Sequence, residues 1–159
     1  MSDPQSAEQI LEALALTGAT TVAAAMATDA WQTARRGFAR LFRHDGTGRR
    51  SVAESQLDAN ASLVLRSTDR DRARSAVVPL WERELEELLT THPAAADELR
   101  ELVEHLRPVL PESQRVWVQN NVAKDRARIF AALGGNVIVH EAPARPAAPD
   151  DSQPPLPQA

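Results

Sequence analysis

Apolar residues over the first 110 positions recur every three to four residues, the period of a buried helix face, and the elements follow from where that period starts and stops. Residues 6-30 read as one helix. Ala15, Ala19, Ala23 and Ala27 fall at strict four-residue spacing with Gly18 beside them. Side chains four apart share a helix face, so this is a smooth, small-residue stripe that lets another helix backbone come close. Residues 31-43, WQTARRGFARLFR, place Trp31, Ala34, Phe38, Leu41 and Phe42 on one side and Arg35, Arg36, Arg40 and Arg43 largely on the other, a basic amphipathic helix. Asp45, Gly46, Thr47 and Gly48 break it. A second helical region opens at Ser51, which has capping-box spacing to Glu54, and its apolar face is Ala53, Leu57, Ala61, Val64 and Leu65. Thr68 or Asp69 caps the next helix, with Ala73, Val77, Leu80, Trp81, Leu85 and Leu88 on its apolar side. Pro79 removes a backbone donor there and predicts a kink or restart near Val78. His92 and Pro93 mark a further boundary, after which a helix runs through Leu99, Leu102, Val103 and Leu106 to Pro108 and Pro111.

From Arg115 the pattern changes. RVWVQ, RARIFAA and NVIVH are rich in β-branched and aromatic residues and are separated by Asn120-Asn121 and Gly134-Gly135, which predicts a small three-strand meander. Residues 142-159 hold six of the eleven Pro and little to bury, so the tail is expected to be disordered. The predicted fold is mainly α: a small helical bundle or hairpin with a short C-terminal β-meander and a disordered Pro-rich tail. Its segments are 1-50 (Ala-rich and amphipathic helices), 51-111 (helical region), 112-141 (short strands) and 142-159 (tail).

Composition narrows this picture. A chain of 159 residues favours one domain with tails, and aromatic residues at 4% make its core thin. With no Cys there is no disulfide, thiol nucleophile or Cys-ligated zinc. The formal net charge of −4 is segmented. Residues 1-30 carry −4, residues 31-50 carry +5 through Arg35, Arg36, Arg40, Arg43, Arg49 and Arg50, residues 51-114 carry −6, and residues 115-141 carry +2.

Two surfaces follow from this. No charge occurs from Ala13 to Thr28, but those 16 residues fall short of the ~20 needed to span a bilayer. Trp31, Arg35 and Arg36 nevertheless form the flank of a cytoplasm-facing membrane anchor, which makes residues 13-43 a candidate for binding an anionic membrane surface. Each Arg near an anionic leaflet contributes about 1 kcal/mol, and burying the apolar face roughly 6 to 10. Ordering the segment from coil costs roughly 12, so it binds a membrane only if already helical. The same face can instead pack on the other helices, and in a chain with so few large side chains that is the expected use. Nucleic acid is disfavoured, because the rest of the chain is acidic, a single Lys is present and no nucleic-acid-binding motif occurs. The expected strands are the other surface, since three short strands leave two unpaired edges.

Candidate chemistry is sparse. Of His44, His92, His105 and His140, only His105 has a helical i,i+4 carboxylate, Glu101, and two ligands make half a zinc site at best. Glu82, Glu84, Glu86 and Glu87 interleave with Arg83, Leu85, Leu88 and Leu89 as a solvated helix face does. Gly46-Thr47-Gly48 and Gly134-Gly135 fit neither a phosphate loop nor a dinucleotide fingerprint. No catalytic residue, metal or cofactor is implied.

Three stretches resemble a family of actinobacterial helical proteins: GATTVAAAMATDAWQTARRGFARLF, WERELEELLTTHPAAADELRELVEHL and NNVAKDRARIFAALGGNVIV. The resemblance covers residues 13-141. It implies an Ala-rich N-terminal helix, a helical hairpin region and a short Gly-containing β-motif, and it carries no activity or cofactor. The chain departs from it at Pro79 and at Leu133-Gly134-Gly135. The expectation is a non-enzymatic, cytoplasmic interaction or scaffold protein, built on coiled-coil-like helix pairing, that forms a homo-oligomer or docks to a protein partner. The alternative is a peripheral or single-span membrane protein anchored through residues 13-43. The interaction candidates are Ala15, Ala19, Ala23 and Ala27 on the stripe; Trp31, Arg35, Arg36, Phe38, Arg40, Phe42 and Arg43 on the basic helix; and Ile129, Phe130, Gly134, Gly135 and Val137 in the strands.

Overall fold

A computed structural model describes the backbone over residues 4-132 and side chains over residues 7-124. Met1–Arg126 form one compact unit. A second unit comprises Ala127–Ala159, of which residues 127-132 are described, as helix. The helices are α1 (Pro4–Ala25), α2 (Trp31–Leu41), α3 (Thr47–Arg66), α4 (Arg70–Thr91), α5 (Ala95–Leu106) and α6 (Glu112–Ala132). Short 3-10 turns at Phe42–Asp45 and Arg107–Val109 join α2 to α3 and α5 to α6. There is no strand among the described residues.

The mainly helical class is therefore as expected, but residues 112-132 are a correction. RVWVQ and RARIFAA, read as strands, lie within α6. Asn121, read as part of a turn, donates from Nδ2 to the Trp117 carbonyl one turn back at 2.8 Å. The segment contains no Gly or Pro, and Val118 and Val122 sit four apart, so the helical hydrogen-bond ladder runs through it uninterrupted despite β-favouring residue types. The third expected strand, 136-140, and the tail lie outside the described residues.

The uncharged stretch of α1 is the centre of the core. Ala15, Ala19, Val22 and Ala23 are fully buried, as are Phe38 of α2, Leu57 of α3, Trp81 and Leu85 of α4 and Leu99 and Leu106 of α5. Thr20 and Thr21 are buried there because each hydroxyl donates to its own helix, to the Leu16 carbonyl at 2.7 Å and the Thr17 carbonyl at 2.6 Å. Gly18 marks the close approach: a Cβ there would lie 2.9 Å from a Leu99 methyl and 3.0 Å from a Leu85 methyl. Trp81 meets Phe42 edge-on at 5.9 Å. Trp31 and Trp117 pack partly buried against this core, so every aromatic residue whose side chain is described belongs to it or packs on it.

Three local expectations change. α1 stops at Ala25, five residues early: Thr28 Oγ1 donates to the Ala25 carbonyl at 2.7 Å, and Arg74 of α4, 4% exposed, donates from Nη2 to the Met26 carbonyl at 2.8 Å. α3 begins at Thr47 rather than Ser51, because Gly46 alone makes the break at φ +108°, a conformation that suits glycine. α4 runs through Pro79 without interruption. Pro79 and Ser75 are exposed, which lets water reach the carbonyl the ring displaces, while Val77, Val78 and Trp81 hold both halves of the helix in the core. Of the two cap candidates Thr68 and Asp69 it is Asp69 that caps α4, its carboxylate accepting from Arg72 N at 3.1 Å.

Candidate interaction groove

The fold absorbs the N-terminal half of the predicted interaction surface. Ala15, Ala19 and Ala23 are fully buried in a core where α1 packs on the protein's own α4, α5 and α2. Ala27 is not on the stripe at all: it lies beyond the end of α1 at φ +61°, in the left-handed region that an L-residue enters at a cost. Phe38 and Phe42 are buried and Trp31 is half-buried. Among the described residues no helix is long and apolar enough to cross a membrane.

The charge of the basic collar is largely consumed as well. Arg35 grips Asp58 of α3 bidentately, at 2.6 and 2.9 Å, with Glu54 at 4.0 Å. That hydrogen-bonded carboxylate raises the Arg35 pKa above its ordinary value. Arg43 reaches Glu98 of α5 at 3.0 Å, Arg50 reaches Glu54 at 3.3 Å, and Arg49 pairs with Glu84 of α4 while lying over the Phe42 ring. The +5 block thus meets the −6 block inside one fold. Arg36 and Arg40 are exposed and have no carboxylate partner among the described residues.

Two polar clusters accompany this packing. His44 and His92 stack at 5.8 Å, each ring placing Nε2 on a carboxylate: His44 on Glu98 at 3.1 Å and His92 on Asp45 at 2.7 Å. Those pairs join the Phe42–Asp45 turn to α5 and to the end of α4. Among the described residues no three metal-capable side chains converge. Glu86 of α4 faces Glu12 of α1, and burial, helped by the Glu12 charge, pushes its pKa up.

One concavity was not anticipated. A cleft of about 650 Å³ opens between α1, the end of α5 and α6. Thr17 and Thr21 line it from α1, Val103 and Leu110 from α5 and the segment after it, and Val118, Val122 and Ala123 from α6, with Arg107, Arg115 and Gln119 as its polar members. The hydroxyls of Thr17 and Thr21 are turned back to carbonyls of their own helix, which leaves that wall few free polar atoms. α6 packs sparsely: Gln114 is buried, Trp117 and Val118 are half-buried, and Val116 remains 49% exposed. Val109, just before α6, is 52% exposed. A volume in this range, with apolar walls and few polar groups, is typical of binding clefts. A second depression around Thr28, Asp69, Arg70, Ser113 and Gln114 contains the internally paired Arg74 and Asp71.

Of the remaining predicted residues, Ile129 and Phe130 are on α6 with side chains outside the described residues, and Gly134, Gly135 and Val137 lie outside them altogether. The groove residues were hidden by the strand reading of 115-132. Four-residue spacing of Val118 and Val122 in a Gly- and Pro-free segment was the signal that pointed to a helix face.

Comparison with protein-family models, with curated proteins and with solved structures returned no match.

Proposed function

We propose that this chain is a non-enzymatic helical interaction protein that docks to a larger partner, or to its own copy, through the groove between α1, α5 and α6. The observation that carries the reading is the groove itself: apolar groups on two helices, with Val118 and Val122 of its α6 wall left only half-buried. Contiguous exposed apolar surface of this kind is a common mark of an interaction site. The groove-lining groups among the described residues are aliphatic side chains, hydroxyls tied to backbone, two Arg and one Gln, a set suited to packing and charge recognition. The small-residue stripe and the aromatic face of α2 support the body of the module instead of its contacts. The likeness to actinobacterial helical proteins bears on architecture and adds no activity.

Photo-crosslinking in cells tests this. A photoreactive residue at Val118 is expected to give a discrete adduct, with the same probe at exposed Leu65 of α3 as the control position. An adduct with another protein supports docking and an adduct with the chain itself supports self-association. No adduct above the control removes the reading.

A further inference from the structure

The geometry points to an acidic amphipathic helix as the segment that fills the groove, an inference that rests on the docking reading and adds the chemistry of the partner. Shape comes first. The cleft is open, with one wall carrying Thr17 and Thr21 and the other Val118 and Val122, each pair one helical turn apart, over a floor of Val103 and Leu110. A third helix laid between two others sets apolar residues three and four apart against both rows at once. A small ligand in an open cleft leaves much of its surface in water, whereas small-molecule sites bury roughly 70–90% of theirs.

Charge then selects the partner. Arg107 and Arg115 line the cleft, and among the described residues no carboxylate does. Both are exposed, and neither has an ion-pair partner among the described residues, in contrast to Arg35, Arg43, Arg49 and Arg50. In a chain of net charge −4 this is a local positive site on an apolar groove. Such an arrangement attracts a helix carrying Asp or Glu beside its apolar stripe and repels a basic one. The free Arg36 and Arg40 of α2 offer no such selection, because neither lines this cleft and the apolar row of their own helix is buried.

The test uses the full chain and two capped synthetic helical peptides with the same Leu/Ala framework, one with Glu and one with Lys at the polar positions, read by fluorescence anisotropy. The Glu peptide is expected to bind roughly tenfold tighter at low salt, with the preference shrinking severalfold in half-molar NaCl. Arg107→Gln with Arg115→Gln, both at exposed side chains, should abolish the preference and keep the residual apolar binding. Val118→Glu should weaken both peptides. Equal affinity of the two peptides for the parent chain overturns the acidic assignment and leaves the docking reading standing. Absence of both peptide binding and a crosslinked adduct at Val118 overturns both. A dimer in sedimentation that Val118→Glu converts to monomer gives the groove to a second copy and overturns the proposal.

Discussion

Helices α2 and α6 both carry arginine and an apolar row, yet the fold treats them oppositely. In α2 the row Ala34, Phe38 and Leu41 is buried, and two of its arginine side chains lie free while Arg35 is locked to α3. In α6 the apolar residues Val116, Val118 and Val122 stay partly or largely in water, and Arg115 has no carboxylate partner among the described residues. An amphipathic pattern therefore says that a face wants covering, not what covers it. α2 has large aromatic side chains, so covering it from within gains most hydrophobic free energy. The valines of α6 gain less, and that helix is left lying loosely over a cleft.

The largest expected effect that separates the two is truncation of Phe38. Phe38→Ala should lose about 3 to 5 kcal/mol in chemical denaturation, because a fully buried ring leaves a cavity, while Val118→Ala should lose about 1 or less. Equal losses would break the comparison. Arg74→Met, which touches neither surface, should lose about 1 to 3 kcal/mol by orphaning the buried Met26 carbonyl. Its denaturation midpoint serves as the control for general weakening of the body. A stabilising change sharpens the picture from the other side: Ala27→Gly should raise stability by about 1 kcal/mol, since glycine takes the φ of +61° without the clash an Ala incurs. No rise in melting temperature would show that the turn after α1 relaxes in solution.

Smaller effects test the charges. Arg35→Gln should lose at most about 1 kcal/mol, the range of an exposed ion pair, and Arg115→Gln should change stability within about 0.5. Smallest of all is Glu86→Gln. The folded state raises the Glu86 pKa through burial and Glu12, so the native state binds a proton more readily than the unfolded chain, and the carboxylate's stability contribution is present at low pH and lost as pH rises through the folded pKa. The Gln variant should therefore be more stable by a few tenths of a kcal/mol at neutral pH, discounted for solvent exposure, with the gain vanishing below the ordinary Glu range. Melts across pH read that convergence directly.

Much of the fold was legible residue by residue. The Asp69 cap, the His92-Pro93 boundary, the Gly46 break and the buried face of α2 are all visible in the chain, since capping oxygens, proline and glycine act over one turn of backbone. Residues 115-132 misled because Val, Ile, Trp and Phe favour strands locally, while the uninterrupted helical spacing competes with that preference and wins. The groove was illegible for the same reason. Its walls come from residues about a hundred positions apart, Thr17 and Val118 among them, and exist only once α6 is a helix.

The chain by itself determined that this protein is mainly helical, roughly where α2, α4 and α5 begin and end, and that its charge is laid out in opposing blocks. Those are properties of neighbours within a turn or two of each other. Only the tertiary structure decided that the Ala stripe and the Phe face turn inward, that Arg35, Arg43 and Arg49 of the collar find carboxylates on α3, α5 and α4, and that Arg107 and Arg115 find none among the described residues. Burial and ion pairing depend on which faces meet, and that choice is made by the summed packing of all the helices rather than by any one of them.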